Sequence, residues 1–246
     1  MRLLLALAGL FLATPALADT IAVYAMPDGQ MTMTVEIASS GELRVSMGGK
    51  MIEEMKRQRP DVDVAQIGGI VRDGENYMLQ PGPDGKVRVI RMTDAAAVMK
   101  EFMEGHLRDV PTPPDEVLEG PKLVEHGTVT INGRTGMAFY VGDARGVPVV
   151  VISTDPDLAE LGAAMRRQFA SSMQMLGSTG FPAPGNFMDV ALARGAPLAL
   201  SGMQLQTVRH DAIPAARFVL PAAPLPLDQV RILMQPQHRA APVAKP

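Results

Sequence analysis

Short period-two segments, separated by tight turn signals, constrain this chain more than anything else in it. Met31, Met33, Val35 and Ile37 alternate with Thr32, Thr34 and Glu36. After Ser39-Ser40-Gly41, Leu43, Val45 and Met47 alternate with Arg44 and Ser46. Such alternation gives a strand one apolar face, and two such runs around a short turn predict a hairpin. The pattern continues through Ile67 to Arg72, a turn at Asp73-Gly74, Asn76 to Gln80, a turn around Pro83-Asp84-Gly85, and Val87 to Met92. Gly127 to Ile131, Asn132-Gly133 and Arg134 to Val141 form another hairpin, because Asn-Gly and Asp-Gly supply the positive φ values that a two-residue reversal needs. Val147 to Ser153 is nearly all apolar and predicts a strand buried on both faces, while Gln204 to Arg209 and Arg217 to Leu220 are strand candidates crowded by proline.

Three helices are expected among these strands. From Lys50 to Gln58, Met51, Ile52 and Met55 share a face opposite the charges. From Asp94 to His106, Val98, Met99, Phe102 and Met103 make an apolar stripe behind Asp94 as cap. The third opens at Thr154-Asp155-Pro156-Asp157, a capping box with Pro in the first turn, and carries Leu158, Leu161, Met165, Phe169 and Met173 on one side. Antiparallel strands accept tight turns where parallel strands need long crossovers. The expected fold is therefore α+β: one curved, mostly antiparallel sheet of about 9 to 11 strands, an incomplete barrel with two or three helices on one face.

The N-terminus carries the clearest functional signal. Met1-Arg2 is a short positive start, Leu3 to Ala13 an unbroken apolar run, and Ala16-Leu17-Ala18 a set of small residues before Asp19. That run is too short to span a bilayer, so residues 1–18 read as a signal peptide cleaved after Ala18, which places the remainder in a periplasm without an integral membrane segment. Residues 19–233 are expected to form a single β-rich domain, with 110–121 as a Pro-rich connection and 234–246 as a disordered tail.

Composition excludes several classes. With 23 basic and 26 acidic residues the net charge is −3, and there is no basic patch to hold nucleic acid. The chain has no Cys, so thiolate metal sites and redox pairs are ruled out. It has no Gly-x-Ser-x-Gly elbow and no Ser-x-x-Lys, and His106, His126, His210 and His238 are widely spaced. No enzyme, metal site or cofactor is expected. Met occurs 18 times and Trp never, an unusual way to fill apolar volume and one that suits adaptable apolar surfaces. The candidate lining of an apolar ligand site is Met31, Met33, Val35, Val45, Met47, Met78, Met92 and Phe102, with Met51, Ile52 and Met55 on a lid helix between Gly48-Gly49 and Gly68-Gly69.

The stretch Ile70-Val71-Arg72-Asp73-Gly74-Glu75-Asn76-Tyr77-Met78-Leu79, the hairpin at Ile131-Asn132-Gly133-Arg134 and the later Gly195-Ala196-Pro197-Leu198 resemble a family of bacterial envelope domains of unknown function. Over residues 30 to 220 the layout is similar to LolA-like lipoprotein carriers of the periplasm, in which a curved, incomplete barrel is lidded by helices and holds acyl chains. The resemblance implies a non-catalytic binding or carrier protein for an apolar small molecule or a lipidated protein. Two other readings stay open: an envelope assembly or interaction factor with a solid core, and a copper(I) protein using Met31-x-Met33 and Met173-x-Met175.

Overall fold

Eleven antiparallel strands hydrogen-bond into one open sheet in the computed structural model, which describes residues 19–63, 67–82, 84–106, 123–142, 146–178 and 187–234. The expected signal peptide, the expected connection 110–121 and, of the expected tail, residues 235–246 lie outside these residues. Strands β1 (Thr20–Ala25), β2 (Thr32–Ile37), β3 (Leu43–Gly48), β4 (Gly68–Arg72), β5 (Glu75–Pro81) and β6 (Val87–Arg91) run as a meander away from β1. Strands β7 (Leu123–Ile131), β8 (Arg134–Val141), β9 (Val150–Ser153), β10 (Ala196–Leu200) and β11 (Met203–Arg209) run inward from the far edge until β11 pairs with β1. The edges β6 and β7 are not bonded to each other, so the curved sheet stays an incomplete barrel.

Turn chemistry sets the registers. Asp73-Gly74 (φ 53° and 77°), Asn132-Gly133 (48° and 81°) and Ser201-Gly202 (51° and 83°) each place two residues at positive φ, the conformation of the two-residue hairpin. The third of these joins β10 to β11; alternation does not pick out β10, though the resemblance at Gly195-Ala196-Pro197-Leu198 implies a late strand opening there, and β1 is additional.

Among the described residues five helices accompany the sheet: α1 (Lys50–Gln58), α2 (Met92–His106), α3 (Ala159–Ser178), α4 (Phe187–Leu192) and α5 (Leu227–Met234). That is more than the two or three expected. Helix α2 starts two residues before Asp94, which instead sits in its first turn, 3.6 Å from Arg91 and well placed against the helix dipole. Asp155 caps the one-turn helix Pro156–Leu158 that leads into α3, its side chain accepting from the Asp157 backbone N–H. Strand β7 begins at Leu123, ahead of the expected Gly127, because a bulge between Glu125 and Thr128 absorbs the irregularity. The expected strand Arg217 to Leu220 is wrong: the chain makes a 3-10 turn at Ala215–Phe218, opened by Pro214. Met234, expected to open the tail, is the last residue of α5 instead.

The largest core cluster joins Ala22, Tyr24, Val35, Ile37 and Leu43 to Leu158, Leu161 and Ala164 at the start of α3. Burying each leucine contributes roughly 1.5–3 kcal/mol. Tyr24 donates to the Pro197 carbonyl at 2.8 Å, so β1 is tied to β10 across β11. Burial pushes the pKa of that phenol up. On the opposite face the chain after β11 runs as a strap across the back of the sheet. Ile213 and Phe218 pack on Ala38 and Ile21, Leu220 packs on Ile70, Leu79 and Val89, and the Leu225 N–H donates to the Val89 carbonyl. The strap thereby covers the free edge of β6 before α5 docks Val230 against Ile90, Ala95 and Val98.

Candidate functional site

Register assembles the predicted apolar lining. Across β2 and β3, Met33 stands opposite Met47 and Val35 opposite Val45. Val45 then faces Gly69 on β4, Gly69 faces Met78 on β5, and Met78 faces Ile90 on β6. Directly opposed residues of an antiparallel pair hold their Cβ atoms about 4.5–5.5 Å apart, so these residues form continuous rows on the face that also carries Tyr24 and Leu43. Met31 lies two residues before Met33 with the same parity. Val35 is fully buried, but Met31, Met33, Val45, Met47 and Met78 remain half-exposed. Met92 is the first residue of α2 rather than the end of a strand, and Phe102 lies ten residues further along that helix, half-buried.

The rows contain a gap. A methyl group added at Gly69 would meet only the Tyr77 carbonyl oxygen, 3.4 Å away, and no side chain within 4 Å. The row thus lacks a side chain between Val45 and Met78, a methyl-sized notch whose walls pack on the core, Val45 on the main cluster and Met78 on that of Ile90, Ala95 and Val98. Its neighbour Gly68 is glycine for a different reason: at φ 150° its Cβ would lie 1.9 Å from the Val45 carbonyl oxygen. Gly68 and Gly69 are thus paired residues inside β4, not a hinge.

Helix α1, the expected lid, follows β3 directly. Gly49 at φ 96° opens it, and the Lys50 and Met51 N–H groups donate to Gly29 and Gln30 in the β1–β2 turn. It buries none of its residues, leaving Met51 47% and Met55 37% exposed. A shallow cleft on α1 itself is lined by these two methionines, Lys50 and Arg57.

A second cleft, of about 490 Å³, opens where the Ser40–Glu42 and Arg72–Gly74 turns approach α3. Its floor is Leu43, Val71 and Ala164, its walls are Glu42, Arg72, Asp73, Asn76, Arg167, Gln168 and Ser171, and none of the predicted lining residues reaches it. Asn76 donates to Ser171 Oγ at 2.8 Å, bridging β5 and α3. These polar residues were missed by sequence reading, although the signal was present. Asn76 has the inward parity of Met78, and Ala164, Gln168 and Ser171 follow Leu161 at helical spacing.

One constellation looks catalytic in outline. His210 Nδ1 lies 3.2 Å from Thr20 Oγ1, and its Nε2 lies 3.0 Å from Asp157. Thr20 is wholly buried, however, and donates its hydroxyl proton to Glu160 at 2.7 Å, so a substrate has no path to this oxygen. Arg134 binds both Asp155 and Asp157, and this Arg134 bond, with that of His210 second, holds the Asp157 carboxyl below its ordinary pKa. The group is an ionic clasp joining β1, β8, β11 and the start of α3. His210, which sequence spacing sets apart from every other His, is one of its members.

Among the described residues, no group of three or more His, Asp or Glu side chains is placed to hold a metal ion, and no helix is long and apolar enough to cross a membrane. Comparison with protein-family models, with curated proteins and with solved structures finds no significant match to this chain.

Proposed function

We propose that this chain is a non-catalytic periplasmic binding or carrier protein that holds an apolar, lipid-like ligand, free or attached to a partner, against the methionine rows of β2 to β5. One observation supports the reading: the rows stay half-exposed around the notch at Gly69, where no side chain lies within 4 Å of an added methyl. Methionine suits such a surface because its flexible thioether side chain adapts to irregular apolar partners. The test is native mass spectrometry of the protein from its own host, beside Gly69→Leu. Leucine is compatible with the extended backbone of β4 and projects into the notch. The wild type is expected to carry lipid and the variant to lose it. A wild type free of lipid, or lipid retained equally by the variant, overturns the carrier and leaves an interaction factor with a solid core.

A copper(I) reading draws on Met33 facing Met47 across β2 and β3, a pair of soft donors. It predicts copper rather than lipid in the purified protein, unaffected by Gly69→Leu.

A further inference from the structure

Three neighbouring strands change their inward residues at the same end of the sheet. On β1 the inward positions Ala22 and Tyr24 continue to Met26. On β2 they run from Ile37 and Val35 to Met33 and then Met31, and on β3 from Leu43 and Val45 to Met47. Ala22, Tyr24, Val35, Ile37 and Leu43 are buried in the main core, whereas Met26, Met31, Met33 and Met47 are all half-exposed. The buried core thus ends, and methionine begins, where the strands reach the Asp28-Gly29 turn. Val35 and Ile37, β-branched residues suited to a strand, fill the same rows two positions deeper, so packing alone gives no reason for the change.

Register brings these side chains together. Met33 stands between Tyr24 on β1 and Met47 on β3. The Met26 N–H donates to the Met31 carbonyl at 2.9 Å, which carries the β1–β2 ladder one pair beyond Ala25 and Thr32. Met26 therefore opposes Met31, Met33 opposes Met47, and Met31 lies two residues before Met33 on the same face. Opposed Cβ atoms lie about 4.5–5.5 Å apart and alternate ones about 6–7 Å. A methionine carries its sulfur two bonds beyond Cβ on a flexible stem, so sulfurs at these spacings can converge on one ion. Thioethers are soft, uncharged donors; they offer little to Mg²⁺ or Ca²⁺ and select copper(I).

We infer that Met26, Met31, Met33 and Met47 form a thioether site for a soft monovalent metal ion, copper(I), at the turn end of β1 to β3. The inference rests on the copper(I) reading of Met33 and Met47, which it extends to four sulfurs, and not on the notch at Gly69. The ion is bound and released in one oxidation state, with no electron transfer. All four residues are partly open to solvent, so an ion reaches them without the sheet opening.

The test titrates the protein purified from its own host, labelled at the methionine methyl groups, with silver(I) alone as a copper(I) analogue that does not oxidise. The methyl NMR signals of Met26, Met31, Met33 and Met47 are expected to shift together and saturate at a single equivalent, while that of Met99, exposed on α2, stays in place. A thioether has no proton to lose, so the affinity is expected to hold between about pH 7 and 5, where histidine ligands would weaken. Met31→Leu and Met33→Leu keep the apolar volume, and each is expected to weaken silver binding about tenfold or more. Gly69→Leu is expected to bind silver as the wild type does. Shifts confined to Met33 and Met47 overturn the four-sulfur site and leave the pair. Shifts spread equally over Met51, Met55 and Met99, or an affinity unchanged in both methionine variants, overturn the site in favour of scavenging by exposed thioethers. Loss of silver binding in Gly69→Leu moves the ion to the notch and overturns the site. No shift at millimolar silver overturns the site and the copper(I) reading together.

Discussion

Replacing Glu36 by Gln tests what fastens the C-terminal strap to the back of the sheet. Glu36 is 7% and Arg44 6% exposed, side by side on β2 and β3. Arg217 of the strap grips both Glu36 carboxylate oxygens, at 3.0 and 2.7 Å. Arg44 lies 4.0 Å from the same carboxylate and donates to the Arg217 carbonyl at 2.8 Å. The Glu36 bonds hold the pKa of Arg217 up, whereas burial draws that of Arg44 down, with repulsion from Arg217 adding to it. Removing the carboxylate charge leaves the Arg217 and Arg44 guanidiniums repelling each other over a buried surface, with Asp63 the remaining acid whose charge acts on Arg44. Breaking a buried pair on one side costs about 3–5 kcal/mol. The Arg217 side chain is 42% exposed, and water recovers part of its solvation, so the expected loss is about 2–4 kcal/mol. For a protein of this size that lowers the melting temperature by roughly 5–15 °C in a calorimetric scan. A triple replacement of Glu36, Arg44 and Arg217 by apolar residues of similar size should recover much of the loss, since the cost lies in the uncompensated charge. A Glu36→Gln loss under about 1 kcal/mol refutes the argument, because the strap would then be held by Ile213, Phe218 and Leu220 without the ions.

Asp19 accepts backbone N–H bonds from Ile213 at 2.7 Å and Ser39 at 2.8 Å, and these lower its pKa. A lowered carboxylate contributes stability that is present above the unfolded value, about 3.9, and lost as pH falls through the folded one. Urea unfolding between pH 5 and 2 should therefore show a steeper acid loss in the wild type than in Asp19→Asn. Gly195→Ala should destabilise by more than about 1 kcal/mol in the same assay, because at φ 157° the added Cβ would lie 2.1 Å from the Ser153 carbonyl oxygen. If α1 is a lid, its amides should exchange faster than those of α3 from Leu161 onward, and equal protection with and without lipid would remove that role.

Most of the sheet is legible in the sequence because period-two alternation and Asp-Gly or Asn-Gly turns are local signals. What escapes is non-local. Strand β1 begins two residues after the stretch read as a signal peptide, and its alternation of Thr20, Ala22 and Tyr24 with Ile21 and Val23 gains meaning only through its pairing with both β2 and β11. Strand β10 contains Pro197 and a bulge, and the turn behind it is Ser201-Gly202, a weaker signal than Asn-Gly. Arg217 to Leu220 has apolar β-formers, but tertiary packing on Ala38 and the grip on Glu36 hold it as a 3-10 turn. For the candidate site, parity alone placed the methionines on one face. The notch and the cleft depend on which side chains fail to meet across strands and helices, and no local pattern encodes that.

The adjacent glycines of β4 show how much of the functional reading turns on such meetings. A glycine inside a strand costs stability through backbone entropy and lost packing, and two in succession on a central strand need two reasons. Gly68 has a backbone reason, since the Val45 carbonyl occupies the space a Cβ would take. Gly69 has none of that kind: its backbone accepts any residue, its face is the inward one, and only the Tyr77 carbonyl oxygen lies within 4 Å of where its side chain would start. An apolar residue there would extend the row from Val45 to Met78 and add burial worth about 0.8 kcal/mol per methylene enclosed. The chain forgoes that gain at a position flanked by the adaptable methionines of β3 and β5. A glycine retained there without a backbone reason, between side chains suited to irregular apolar contacts, supports the proposed reading of an apolar ligand.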